Sequence, residues 1–291
     1  MGLISGILVP VVFSERCQEA ARYAAALACR FQCQLTLLHV FAQPWAAYSS
    51  PEGYATPPPY DHESTLAQVR EQLDGFLADE LASLSVRRVL SEGDPARVIG
   101  QYASAEHCGM IVMPTHGYGP FRRFLLGSVT AKVLHDVSIP VITGPHLEPC
   151  KPMETPSFRK ILCAIDLCPE SRGLLEWASR LAREFGAKVT IVHALPVSTT
   201  RMEGIYFDPQ WRANLAANAR QEIATLQAAV NLDGEVLIEV GDVPGAVRAA
   251  AETTAADLVV AGHGCTHGVL GRLRANTYGI VRESCCPVVV V

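Results

Sequence analysis

The feature that most constrains the fold of this chain is an internal duplication. The segment ILVPVVFSE (7–15) returns as ILCAIDLCPE (161–170), and LTLLHV (35–40) returns as VTIVHA (189–194). Three later segments recur in the same order, namely EGDPARVI (92–99) as VGDVPGAV (240–247), MIVMPTHG (110–117) as LVVAGHG (258–264) and SIPVITG (138–144) as CCPVVVV (285–291). The offsets lie between 147 and 154 residues. A repeat of that length indicates a duplicated domain rather than a solenoid unit.

The segment between the two copies has the composition of a linker. HLEPCKPMETPS (146–157) contains three prolines and has no hydrophobic periodicity, as is typical of connecting segments. We therefore predict an N-terminal domain at 1–146, a linker at 147–157 and a C-terminal domain at 158–291.

Within each copy, short β-rich runs alternate with stretches of helical periodicity. In the first copy the predicted strands are 6–12, 34–40, 86–93, 109–114 and 140–144, and the predicted helices are 15–32, 63–83, 94–107 and 128–137. The second copy repeats this order. Asp94 is the predicted cap of the helix 94–107, and Asp242 is the predicted cap of the equivalent helix 243–255. This βα alternation predicts an open, parallel, doubly wound α/β sheet in each copy with helices on both faces. Such sheets bind ligands beyond the carboxyl ends of their strands, at the switch in strand order.

Composition and charge exclude several classes of protein. A net charge of −5 and a pI near 6.0 argue against a nucleic-acid-binding surface. No apolar run reaches the roughly 18 residues of a membrane span, and the N-terminus lacks a basic region and a cleavage site. The ten cysteines are scattered, several of them in apolar segments, as with Cys29, Cys163 and Cys285. They are therefore predicted to be reduced core residues of a cytoplasmic protein.

The segment PTHGYGPFRRFLLGSVTAK (114–132) has features of a phosphate-binding turn. Gly117 follows a predicted strand, and Gly127 and Ser128, with Val129 next, begin the following helix. Amides at a helix N-terminus attract anions, and glycine allows a close approach of the backbone. The alternative is an ordinary strand–turn–helix connection, in which Ser128 caps the helix.

These landmarks, in the same order in both copies, resemble those of a tandem universal stress protein. The resemblance covers about 1–145 and 158–291. Nucleotide-binding members of that family end strand 1 in an aspartate and later carry Gly-x-x-Gly, nine residues, then Gly followed by Ser or Thr. The resemblance implies a five-stranded α/β domain of the adenine nucleotide alpha hydrolase type in each copy, and a stress-response role. In binding members it implies ATP or a related adenine nucleotide, with or without Mg²⁺.

In the N-terminal copy only the second part of this motif matches. Gly117, nine residues, and Gly127-Ser128 fit the pattern, whereas Pro114 replaces the first glycine and Val12 stands at the aspartate position. Proline removes an amide donor at that place. This copy therefore lacks the carboxylate that the resemblance assigns to the nucleoside.

In the C-terminal copy the matches and losses are exchanged. Asp166 provides the aspartate and Gly264 the second glycine, but Ala261 replaces the first glycine and Arg274-Ala275 replaces Gly-Ser. Asp166 is either a ribose or base acceptor or the cap of the helix that begins near Glu170. Arg274 either meets a phosphate or closes the crevice.

The candidate nucleotide-binding residues are thus divided between the two copies. They are Gly117, Gly127, Ser128, Val129, Val40, Asp166 and Gly264. Val40, like its counterpart Ala194, follows strand 2, where the backbone of family members meets the base.

The sequence contains no recognisable catalytic or metal-binding set. HGCTH (263–267) offers two histidines and a cysteine, but a strand-end turn seldom gives zinc convergent ligands, so no metal is predicted. His39 and His193 recur at equivalent strand ends, which indicates a structural role. There is no Walker lysine motif, no nucleophile elbow and no carboxylate pair at the strand ends. We therefore expect no defined catalytic reaction.

The sequence therefore predicts a stress-response protein that binds an adenine nucleotide in one half as a sensor. Two alternatives stay open: a protein that binds no nucleotide and acts through protein partners, and a weak ATPase. The apolar terminal strands of the two copies predict an internal pseudo-dimer, and a homodimer of the whole chain also stays open. The long segments 41–64 and 195–211 are candidates for lids, partner surfaces or solvated loops.

Overall fold

The computed structural model describes residues 2–42, 61–115, 126–144, 147, 156–195, 209–264 and 272–291. The segments 41–64 and 195–211, the candidates for lids, partner surfaces or solvated loops, lie largely outside these residues. Gly117 also lies outside them. Within the described residues the chain forms two compact units. Among the helices of this part of the chain, none has both the length and the apolar character that a membrane span requires.

The first unit is built on four parallel strands. They are β1 (Gly6–Pro10), β2 (Gln34–Phe41), β3 (Val86–Glu92) and β4 (Met110–Val112). Their order is β3-β2-β1-β4. β1 and β4 are shorter than the predicted strands 6–12 and 109–114. Beyond β1 the backbone turns away at Phe13, which has a φ of 55°.

The described part of the first unit has four helices, one of which begins at the predicted cap Asp94. They are α1 (Glu15–Phe31), α2 (His62–Gly75), α3 (Pro95–Ala105) and α4 (Ser128–Asp136). Asp94 caps α3 by accepting a hydrogen bond from the Arg97 amide at 3.0 Å. The prediction that α2 extends to residue 83 is wrong. The helix ends at Gly75 because Phe76 adopts an extended conformation and is buried, only 6% exposed, in edge-to-face contact with the ring of Phe13.

The second unit repeats the alternation. Its strands are β5 (Val141–Thr143), β6 (Lys160–Ala164), β7 (Lys188–Leu195), β8 (Glu235–Val240), β9 (Leu258–Ala261) and β10 (Val288–Val290). Its helices are α5 (Ser171–Phe185), α6 (Pro209–Val230), α7 (Val243–Thr254) and α8 (Arg272–Glu283). Asp242 caps α7 through the Gly245 amide at 3.0 Å, as predicted.

The strand order of the second unit is that of a doubly wound sheet. β10, β9, β6, β7 and β8 lie side by side and parallel. Consecutive residues of β6 and β9 are buried, so both faces of these strands are covered. Connections from β6 and β9 diverge, which creates the topological switch between them. The predicted α/β fold with parallel sheets is confirmed.

The last strand of the first copy pairs with the last strand of the second. β5 is antiparallel to β10, with Ile142 opposite Val289, and both strands belong to the second unit. Apolar edges that would otherwise invite association are thereby paired. The internal pseudo-dimer itself stays a prediction.

The cysteine prediction is correct only in part. The eight cysteines among the described residues are free, and Cys163 is fully buried, which raises the pKa of its thiol to about 12. Cys29 and Cys285, however, are exposed rather than in the core. Cys29 lies near the end of α1 and Cys285 in the turn after α8, where apolar neighbours in sequence do not imply burial.

Candidate functional site

The carboxyl ends of β6 and β9 form the floor of a cleft in the second unit. These strands are neighbours, with Ala164 opposite Ala261. Beyond them the chain leaves β6 at Ile165-Asp166 and β9 at Gly262. A cleft of about 730 Å³ opens at this place. The sequence predicted a ligand crevice at this switch in strand order, and the structure contains a cleft there.

The larger part of the cleft surface is apolar, and polar or charged side chains from the strand ends and the nearby helices, Glu170, Glu176 and Arg180 among them, also line it. The polar and glycine residues that matter here are Asp166, Ser171, His193, Gly262, Gly264 and Thr277. Two of them, Asp166 and Gly264, belong to the predicted binding set, and Ala194 after strand 2 also lines the cleft. The structure therefore brings together the candidates of the C-terminal copy.

Asp166 lies exposed in the cleft and is held by its own loop. Its Oδ1 accepts hydrogen bonds from the Ser171 hydroxyl at 3.1 Å and the Cys168 amide at 3.3 Å. Helix α5 has Glu170 at its N-cap position and no side-chain cap bond. The carboxylate therefore contacts the helix through the Ser171 hydroxyl instead of capping it.

The strand register shifts the glycine match by one residue. Met110 lies opposite Ile7 and Leu258 opposite Ile161, so Gly262, and not Ala261, is the counterpart of Pro114. The following helices agree, since Thr130 Oγ1 donates to the carbonyl of Pro114 and Thr277 Oγ1 to that of Gly262. Sequence reasoning missed Gly262 because the threonine lies 16 residues after Pro114 in the first copy but 15 residues after Gly262 in the second, and only the strand register reveals this difference.

The backbone conformation at position 264 favours glycine. Its φ of 83° lies in the left-handed region, which glycine adopts without the cost that a Cβ would add. Together with Gly262 it follows β9 and lines the cleft. The C-terminal copy therefore has a Gly-x-Gly segment at the switch point.

The two helices that follow these turns begin at different places. α4 begins at Ser128, and its first i to i−4 hydrogen bond joins the Ala131 amide to the Gly127 carbonyl at 2.8 Å. Thr130 and Thr277 are equivalent, so Ala275, two residues before Thr277, is the counterpart of Ser128. Helix α8 nevertheless begins three residues before Ala275, at Arg272. Replacement of Gly-Ser by Arg-Ala favours a longer helix. The backbone amides near Ala275 are consequently drawn into the helix.

The N-terminal candidates have a helix start but no carboxylate. Gly127 is the N-cap of α4, without a side-chain cap bond, so the alternative that Ser128 caps the helix is wrong. Ser128 is exposed, and Val129 is half-buried. Val12, at the position of Asp166, is 37% exposed and contributes no polar group. Val40 is half-buried on β2, and Gly117 lies outside the described residues.

His39 and His193 have the predicted structural role. The Nδ1 atom of His39 lies 2.8 Å from the carbonyl oxygen of Val11, and that of His193 lies 2.9 Å from the carbonyl oxygen of Ile165. A carbonyl only accepts, so Nδ1 carries the proton in both rings. Burial lowers the pKa of His39, and the bond to Val11 opposes that shift. The two rings differ in what adjoins them, because His193 lines the cleft while His39 stacks on Phe13.

No group of three or more His, Cys, Asp or Glu side chains in the described part of the chain is arranged to hold a metal ion. Cys265 and His267 of the HGCTH segment lie outside that part. In the cleft itself the titratable groups include Asp166, Cys168 and His193. Their chemistry suits hydrogen bonding and ring contact with a ligand.

The fold and the cleft define a two-domain α/β protein with a ligand cleft at a topological switch point. The family model described as the universal stress protein family matches residues 5–143 and again 157–291. The chain therefore belongs to the universal stress protein family, as a tandem of two such domains.

Related proteins agree with this assignment. A universal stress protein from Mycolicibacterium smegmatis is 30% identical over 140 residues, which are 47% of this chain and 47% of that protein. One from Thermus aquaticus is 30% identical over 139 residues, 47% of this chain and 95% of that protein. The match thus spans about half the length of the Mycolicibacterium protein.

Among solved structures, a universal stress protein from Archaeoglobus fulgidus superposes with a TM-score of 0.68. The match covers 99% of this chain and 96% of that one at 21% identity. It shows a shared fold over the full tandem.

Proposed function

We propose that this chain is a stress-response protein that binds an adenine nucleotide in its C-terminal domain as a sensor, without catalytic turnover. Family membership supports the stress-response role. The observation that carries the binding proposal is the position of Asp166, an exposed carboxylate in a largely apolar cleft of about 730 Å³ at the switch point. A few polar groups in an apolar cleft are typical of small-molecule sites.

The chemistry of the cleft fits a nucleoside. An ionised carboxylate accepts hydrogen bonds only, which suits the two hydroxyl groups of a ribose. Apolar side chains from the sheet and from α5 and α7, Leu174 and Val247 among them, provide the surface that a base needs. The ligand is ATP or a related adenine nucleotide, and the C-terminal half is the half that binds it.

The N-terminal domain is the weaker candidate. It has the helix start at Gly127 and Ser128, but an apolar valine stands where the carboxylate should be. An exposed helix N-terminus attracts a phosphate group only weakly in water. Without contacts to the nucleoside, the affinity of this domain for a nucleotide should therefore be low.

The test is isothermal titration calorimetry of the full chain with ATP-Mg, ADP and AMP. Asp166→Asn keeps an acceptor for the bonds from Ser171 and Cys168 but removes the charge, so we expect affinity to fall about tenfold or more. The matched control is Val12→Asn at the equivalent place of the other copy, where affinity should not change.

Two outcomes would contradict the proposal. If Asp166→Asn binds normally while Gly127→Ala with Ser128→Ala does not, the site lies in the N-terminal half. If the wild-type chain binds no adenine nucleotide, the function is that of a protein acting through partners. Phosphate release measured with bound ATP distinguishes a sensor, which leaves ATP intact, from a weak ATPase.

A further inference from the structure

The N-terminal domain already contains an aromatic ring stacked on its strand-end histidine. The rings of Phe13 and His39 have centroids 4.6 Å apart and planes inclined by 17°. Phe76 and Phe13 pack edge to face, with centroids 5.9 Å apart and planes inclined by 62°. The stacked pair and the edge-to-face pair both lie within the usual range for aromatic rings.

The second domain repeats the histidine contact of this arrangement but has no phenylalanine at the position of Phe13. His193 is the counterpart of His39 and makes the same Nδ1 contact to the preceding strand-end carbonyl. Leu167 is the counterpart of Phe13, and the two residues share left-handed backbone angles, with φ of 60° and 55°. The side chain at this position therefore differs at a similar φ. The neighbouring helices differ as well, because α2 ends at Gly75 before Phe76 whereas α6 continues to Val230.

The two histidines consequently have different surroundings. His39 is covered by Phe13, whereas His193 is part of the lining of the cleft. In both rings the hydrogen bond of Nδ1 fixes the orientation of the imidazole plane. A fixed aromatic plane in a cleft is a surface on which a flat heterocycle stacks.

We propose that the imidazole of His193 stacks with the base of the ligand, and that Phe13 occupies the same place on His39 in the N-terminal domain. Phe13 is thus an internal substitute for a base, and it keeps the first domain from binding nucleotide even where its helix start is intact. This inference rests on the proposed nucleotide-binding function and adds the residues that decide which domain binds.

The test exchanges the two residues. Phe13→Leu and Leu167→Phe each introduce the side chain that the other copy carries at nearly the same φ, so neither adds backbone strain. In calorimetry with adenosine and with ATP, the wild type should bind one ligand per chain. Phe13→Leu should bind two, the second more weakly because Val12 replaces the carboxylate. Leu167→Phe should weaken binding at the C-terminal cleft about tenfold or more.

A second measurement follows the histidines directly. Nuclear magnetic resonance of the imidazole protons should show a ring-current shift on His39 that Phe13→Leu removes, and Leu167→Phe should produce a similar shift on His193. Adenosine should perturb His193 in the wild type and both histidines in Phe13→Leu. Circular dichroism and the melting temperature confirm that each variant folds.

The outcomes separate this inference from the proposed function. If the wild type binds nucleotide and Leu167→Phe leaves that binding unchanged, the inference is overturned while the function stands. If the wild type binds none but adenosine perturbs His39 in Phe13→Leu, the function fails and the role of Phe13 stands. If adenosine perturbs neither histidine in any variant, the inference is overturned.

Discussion

The hydroxyl of Ser171 donates a hydrogen bond to Oδ1 of Asp166 over 3.1 Å. Ser171 is 2% exposed in the first turn of α5, whereas Asp166 is exposed in the cleft. A buried hydroxyl on a rigid helix thus fixes a carboxylate that faces solvent. The first copy has Cys17 and Val12 at these two positions, so the carboxylate and its support are absent together.

Removal of this support should weaken nucleotide binding. In Ser171→Ala the carboxylate of Asp166 loses one fixed partner, and we expect affinity to fall about threefold to tenfold and stability by about 1 kcal/mol. Calorimetry and urea unfolding measure the two effects. The matched control is Cys17→Ala, which alters the equivalent buried position of α1 and should leave binding unchanged. Equal losses of affinity in both variants would contradict a positioning role.

Because α8 begins earlier than α4, the phosphate groups should contribute little to the affinity for the nucleotide. Because the amides near Ala275 bond within the helix, ATP and AMP should bind with affinities within about threefold of each other. Arg274→Gly combined with Ala275→Ser restores the Gly-Ser of the first copy and should favour ATP over AMP. The wild type could instead prefer ATP strongly and lose that preference in Arg274→Gly alone. This result would mean that the guanidinium group of Arg274 binds the phosphate.

The packing of α7 against α8 depends on a glycine. A Cβ added at Gly279 would lie 2.4 Å from Cγ of Pro244, closer than real contacts allow. Gly279→Ala should therefore destabilise the fold by about 1–3 kcal/mol although alanine favours helix. Gly173→Ala in α5, where no atom lies within 4 Å of the added Cβ, should stabilise it by about 0.5–1 kcal/mol. Urea unfolding of both variants distinguishes steric conflict from helix propensity.

The cap of α3 should contribute to the acid sensitivity of the protein. The bond from the Arg97 amide, and secondarily Lys132, holds the pKa of Asp94 below its usual value. This stabilisation is complete above pH about 4 and is lost as the pH falls through the lowered folded-state pKa. Asp94→Ala should therefore melt below the wild type at pH 6, with a difference that narrows toward pH 3.

A milder variant isolates the charge of this cap. Asp94→Asn keeps an acceptor for the Arg97 amide and should lose less stability at pH 6. Thermal melts from pH 3 to 6 measure both variants. A constant difference between the wild type and Asp94→Ala across that range would exclude ionisation of Asp94 as the cause.

Much of the fold followed from local patterns. The caps at Asp94 and Asp242 and the parallel strands were predicted because helix starts and buried strands have their own composition and period. The end of α2 was not predicted, because the helix stops where Phe76 packs beside Phe13, 63 residues away in sequence. The match of Gly262 to Pro114 likewise needed the register between strands.

The sequence by itself determined that the chain is a duplicated α/β protein and that each copy retains a different part of the nucleotide motif. Only the tertiary structure decided the antiparallel register of β5 with β10, the earlier start of α8 and the different surroundings of the two strand-end histidines. Leu167 and Phe13 are both apolar residues after a buried strand, and nothing local distinguishes their roles. The distinction arises because a ring reaches across the fold to His39 and Phe76, and such contacts depend on packing between segments far apart in the chain.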